Sequence, residues 1–265
     1  MANAANVSKP SALPSRDPTA APTLKDAAKV AGWGLVFWGA VQFAAIVFAR
    51  NATAAVAVQA ALAEWGAGRL AIAWSDPLAP IPSWQQIARR VGRGAALGGG
   101  VACLVVATAL VTHVAAVAER SLGVGLLSIG LVVSLLTAAR DELLLRGVVL
   151  RTTRGLLPWW ASLVACGAAA AAARYGLEGV VGVGLLVEAL RGFALGGLWL
   201  GDRGAWLAVG ANAAWTWVIG SVVRGGLVDV RFVGEGDASP AALVVVAAAA
   251  VAAGLWGMRA ARRQM

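Results

Sequence analysis

Stretches of about 20 mostly apolar residues, each enough for one helical crossing of a bilayer, recur along this chain and limit what it can fold into. They run over residues 30–49, 94–117, 121–139, 156–173, 180–200, 204–221 and 241–258. Residues 52–74 are also apolar but contain Glu64 and Arg69, so they read either as an eighth span with a polar face or as a helix lying at the surface. With 60% of its residues hydrophobic, 13% charged and a mean hydropathy of +0.76, the chain reads as an integral membrane protein. The expected fold is all-α, a polytopic bundle of membrane helices.

Charge sets the expected orientation, because lysine and arginine in short loops stay on the cytoplasmic side. Lys9, Arg16, Lys25 and Lys29 precede the first span, and Arg259, Arg262 and Arg263 follow the last. Both ends are therefore expected in the cytoplasm, which requires an even number of spans and favours eight. That count puts Arg89, Arg90, Arg93, Arg140, Arg151 and Arg154 inside, and Asp229, Glu235 and Asp237 outside; Arg224 and Arg231 run against it. The net charge of +9 is then accounted for by topology and anionic lipid headgroups. No basic face interleaved with aromatics points to nucleic acid. The lipid bilayer is the expected partner, and a bacterial inner membrane the expected location.

Five regions follow from composition. Residues 1–28 read as a disordered cytoplasmic tail without an apolar period, and no cleavable signal precedes the first span. Residues 29–119 hold the first membrane helices. They are interrupted at Ser75 to Trp84, where Pro77, Pro80 and Pro82 forbid a continuous helix, and by the basic segment Gln85 to Gly94, read as an interfacial helix or a solvated loop helix. Residues 120–221 hold the next run of spans, 222–240 an extracytoplasmic loop, and 241–265 a last helix with a basic tail. Cys103 and Cys166 read as small packing residues. Trp33, Trp38, Trp159 and Trp160 read as interfacial anchors, and Gly192, Gly196 and Gly197 as close-packing positions.

Asp141-Glu142-Leu143-Leu144-Leu145-Arg146-Gly147 is the candidate site. An ionised side chain near a bilayer centre costs about 2.5 to 3.5 kcal/mol on insertion scales, so such groups pair with one another or face a cavity. On a helix, Glu142 and Arg146 are i, i+4 and share a face, while Asp141 points about 100° away from Glu142. Two carboxylates beside one arginine call for a second cation from another span. The bland alternative is a helix end at the cytoplasmic interface, with Arg140, Arg151 and Arg154 as anchors. Glu178, Glu188, Arg191, Asp202 and Arg203 read as boundary charges, Glu188 and Arg191 being spaced to pair. His113, in the apolar run Val105 to Val117, reads as a packing residue within a span.

At this segment the chain resembles the CAAX protease and bacteriocin-processing family, also called CPBP or Abi, which includes the type II CAAX prenyl endopeptidases. Asp141 to Gly147 matches the family's EExxxR motif, followed by glycine, with one conservative change. Two further family motifs, FxxxH and HxxxN, align by position with Ala170 to Arg174 and with Asn212 to Thr216. Arg174 and Asn212 stand where the family has histidines, and Thr216 where it has asparagine. The resemblance covers residues 120–221 and implies a CPBP-like core. It also implies a divalent metal and water activated by the first glutamate and the histidines, with the arginine orienting the acids. Arg174 cannot ligate a metal, because guanidinium offers donors only; no cofactor is therefore expected. Arg174 is expected to supply the second cation to Asp141 and Glu142.

The functional expectation is a CPBP-type intramembrane endopeptidase homologue, catalytically impaired, that binds a membrane or lipidated peptide through a site of Asp141, Glu142, Arg146, Arg174 and Asn212. Two alternatives stand beside it: an active endopeptidase using Glu142 and Asp141, and a small transporter component, for which no internal repeat speaks. Neither a substrate nor an oligomeric state follows from these residues.

Overall fold

The computed structural model describes residues 23–75, 80–120, 123–178, 181–224, 226–232 and 240–262. Most of the residues expected to form a disordered tail lie outside these. The first helix, α1 (Leu24–Val47), begins inside the expected tail, where Thr23 accepts a hydrogen bond from the Asp26 amide at 3.2 Å and fixes the N-terminus. After it come α2 (Ala52–Arg69), capped by Asn51, and α3 (Trp84–Val111), opened by a capping box of Ser83 and Gln86. This box makes Gln85 to Gly94 the first turns of α3 and not a separate interfacial helix.

A short strand β1 (Ala115–Arg120) follows, and then α4 (Val124–Asp141) runs through a π-helical turn (Glu142–Gly147) into α5 (Val148–Thr153) as one continuous helix. The chain continues through α6 (Trp159–Glu178), α7 (Val183–Asp202) and α8 (Trp206–Trp217), which ends in a second π turn (Val218–Val222). Strand β2 (Val228–Phe232) and α9 (Pro240–Arg262) complete it. All eight apolar segments, 52–74 included, contain a helix. Four of these helices, Leu24–Val47, Trp84–Val111, Val124–Thr153 and Val183–Asp202, are long and apolar enough to cross a membrane; Leu243–Arg259 within α9 is apolar but shorter.

The strands correct the purely helical expectation. β1 pairs antiparallel with β2, Ala115 opposite Phe232 and Val117 opposite Val230. The supposed loop 222–240 therefore contains a strand, although residues 233–239 lie outside the described part. His113 is also relocated: α3 stops at Val111, and His113 sits exposed in the turn to β1 with φ +57°, not within a span.

Helix packing relies on missing side chains. A Cβ on Gly94 or Gly98 of α3 would overlap the main chain of α8 at Leu207 and Ala211, and one on Gly210 of α8 would overlap Val91 of α3. In the same way Gly192 of α7 lies against the Cys166 carbonyl of α6, and Gly197 against that of Ala253 in α9. Close backbone approach of this kind is how helices associate where lipid competes for apolar contact. Buried Cys166 is a packing residue, whereas Cys103 is exposed; both are free thiols. The main core gathers Phe37 and Val41 of α1, Ala63 and Ala67 of α2, Leu143 and Leu144 of the π turn, and Val209 of α8. Thus the π turn is enclosed by helices.

Candidate functional site

The turn at Glu142–Gly147 positions the charged cluster. In a π turn the hydrogen bond spans i→i+5, so one extra residue is accommodated, and of its residues only Leu145 is partly exposed. Asp141 is 5% exposed, Glu142 0%, Leu143 1%, Leu144 4% and Arg146 1%. Arg146 Nη1 lies 3.4 Å from Glu142 Oε1, the i, i+4 pair expected from the spacing. Asn212, carried by α8 and 1% exposed, donates from Nδ2 to the same Oε1 at 3.0 Å. The position matched only by alignment thus lies in direct contact with Glu142.

Asp141 takes its cation from the neighbouring residue. Arg140 Nε and Nη2 each lie 2.7 Å from Asp141 Oδ1, while Arg140 Nη1 donates to Gln59 Oε1 of α2 at 2.7 Å. Gln59 in turn donates to the Val41 carbonyl of α1 at 3.2 Å, and the Arg140 guanidinium lies 5.7 Å from the Trp38 ring centre. Trp38 and Arg140 therefore belong to the cluster and are not only interfacial anchors. Three helices are tied together by this chain of donors.

Arg174 meets the expectation only in part. It lines the same cavity as Asp141, but its Nε lies 3.7 Å from Glu188 Oε2 on α7. Arg191 Nη2 approaches that same oxygen to 2.7 Å, and its guanidinium lies 6.0 Å from the Trp215 ring centre. Glu188 and Arg191 form the pair their spacing indicated; Arg191, at 7% exposed, is an interior charge and not a boundary one. The shortest of these contacts join Glu142 to Arg146 and Asn212, Asp141 to Arg140, and Glu188 to Arg191, while Arg174 lines the cavity that Asp141 and Glu188 share. Arg174 shares the cavity with Asp141 as well as Glu188, but its side chain is 25% exposed and each acid keeps another arginine, Arg140 or Arg191, so Arg174→Ala is expected to cost about 1 kcal/mol, the range of partly exposed ion pairs. Its melting temperature in detergent should stay within a few degrees of the native protein's.

Two cavities border this network. One, of about 300 Å³, is walled by α1, α2, α6, α7 and the turn before α5, with Asp141 and Arg146 on its wall. The other is a groove of about 790 Å³ between α3, α7, α8 and α9; Ala194, Leu198, Ala249 and Trp256 line it, together with Asn212, Arg191, Arg90 and Asp202. Arg90 Nε lies 3.6 Å from Asp202 Oδ1. Asn212 lines the groove and bonds the Glu142 carboxylate, so it stands between the groove and that acid, while Arg191 lines both cavities. His113 lines neither cavity. Among the described residues no three His, Cys, Asp or Glu side chains converge as a metal site would need.

Gln59, Arg140 and Gln42, which lines the smaller cavity from α1, were not read from the sequence as site residues. Gln59 had a signal, being the one amide in the apolar stretch of α2, but nothing in the sequence places it opposite Arg140. No protein-family profile, curated protein or solved structure matches this chain.

Proposed function

We propose that this protein is a non-cleaving membrane protein of the CPBP type, with eight spans and both ends in the cytoplasm, that holds an apolar membrane or lipidated peptide in the groove between α3, α7, α8 and α9. The observation that carries the reading is the state of Glu142. A general base needs reach to the proton it removes, yet this carboxylate is wholly buried, accepts from Asn212 and is paired with Arg146. Asn212 stands between it and the groove where a peptide would lie. Nor do the surrounding groups fit a divalent cation: Arg140, Arg146, Arg174 and Arg191 stand among the acids, and guanidinium groups cannot donate lone pairs. The groove's apolar lining and volume suit an apolar segment.

Purified protein in nanodiscs, offered dye-labelled prenylated and transmembrane peptides, tests this. Binding by fluorescence anisotropy is expected without cleavage by mass spectrometry, and the double variant Glu142→Gln with Arg146→Met, which removes both charges of the buried pair, should still bind. Ala194→Trp, which fills the groove, should weaken binding by at least about tenfold, a loss of about 1.4 kcal/mol. Peptide turnover abolished by Glu142→Gln would replace this reading with an active endopeptidase.

A further inference from the structure

The 300 Å³ cavity has more donors on its wall than acceptors. Arg146 Nε, Arg191 Nε and Gln42 Nε2 are buried with no hydrogen-bond partner, and Arg146 Nη1 has only the 3.4 Å ion-pair approach to Glu142. All three residues line the cavity. Among the acceptors, Asp141 Oδ1 is engaged by Arg140 at 2.7 Å, Glu188 Oε2 has only the 2.7 Å ion-pair approach of Arg191, and Glu142 Oε2 is buried with no hydrogen-bond partner, so the four unmatched donor atoms face two unmatched carboxylate oxygens. Four guanidinium groups, of Arg140, Arg146, Arg174 and Arg191, stand with three carboxylates, of Asp141, Glu142 and Glu188. One further negative charge would balance them.

We propose that this cavity is a binding site for a small monovalent carboxylate or oxyanion, of the size of acetate or bicarbonate, held by Arg146, Arg191 and Gln42. Buried donors without acceptors are costly, and an anion supplies acceptors to several at once. The forked geometry of guanidinium suits two oxygens on one centre. At about 30 Å³ per water molecule, the volume accommodates such an anion with a few waters. The cavity is not sealed, since the side chains of Arg174 and Glu188 on its wall stay 25% and 17% exposed. Because the bound anion would join Gln42 of α1 to the π turn and to α7, its occupancy would stiffen that junction. The two sites share Arg191, which lines both the cavity and the peptide groove, but Gln42 and Arg146 line the cavity alone, so the Gln42→Leu result tests the anion site without touching the groove.

The test uses the full-length protein in detergent, in a buffer whose only other anion is a bulky sulfonate, with sodium acetate or sodium bicarbonate added at constant ionic strength. The melting temperature should rise with the logarithm of anion concentration. Gln42→Leu removes a donor that has no partner in the protein, so it should melt at or above the native temperature without acetate, yet need about tenfold more acetate for the same rise. Arg191→Lys keeps the charge but loses the fork and should likewise shift the response to higher concentration. No dependence on either anion, or the same dependence in the native protein and both variants, would overturn the proposal.

Discussion

Arg146→Ala is expected to destabilise the protein by about 3 to 5 kcal/mol, the cost of leaving one partner of a buried ion pair unneutralised. Arg146 is 1% exposed and Glu142 0%, so neither solvent nor rearrangement of a surface loop can compensate. The measurement is thermal melting in detergent, supported by the fraction eluting as a single species. A companion double variant, Glu142→Gln with Arg146→Met, separates charge from packing. The introduced amide oxygen would still accept the bond that Asn212 now donates at 3.0 Å, and a linear apolar side chain would fill the arginine's place. The double variant should therefore recover most of the loss, a non-additivity that marks direct coupling. An Arg146→Ala protein that melts like the native one would show that the pair contributes nothing to the fold.

Gly94→Ala combined with Gly98→Ala should separate α3 from α8. Each added methyl would overlap main-chain atoms of Leu207 or Ala211, which cannot swing aside as the tip of a side chain can. Overpacking costs about 1 to 3 kcal/mol for each site, so the pair should lose about 2 to 6 kcal/mol. Gly100→Ala, further along the same helix, has nothing within 4 Å of its added carbon, and should gain up to about 1 kcal/mol from helix propensity. Opposite signs at neighbouring glycines, read as melting temperatures, distinguish a helix contact from a general intolerance of substitution. Because α3 and α8 both line the groove, the double variant should also lose peptide binding.

The helices were legible because apolar length is a strong signal: every stretch read from composition contains one. The strands were not, since Ala115 to Val117 ends an apolar run and only pairing with Val228–Phe232 makes the segment extended. The same cause misplaced His113, because hydropathy does not mark where a helix stops. Within the cluster, the contact between Arg146 and Glu142 and that between Arg191 and Glu188 followed from helical spacing, which is local. Long-range pairings had no such rule. Arg140 was legible only as a cytoplasmic anchor, and its bond to Gln59 of α2 depends on how α2 and α4 lie against each other. Arg174 shares a cavity with Asp141, but it also found Glu188 on α7, a pairing that depends on how α6 and α7 lie against each other.

The extra residue in the Glu142–Gly147 turn rotates everything after it by about 100° relative to an uninterrupted helix. Val124–Asp141 and Val148–Thr153 therefore obey separate angular phases, and a helical wheel drawn across both misassigns one half. The first half's facing toward α8 and the second half's toward α1 can then change independently through substitution, with the charged turn acting as the coupling that keeps them collinear.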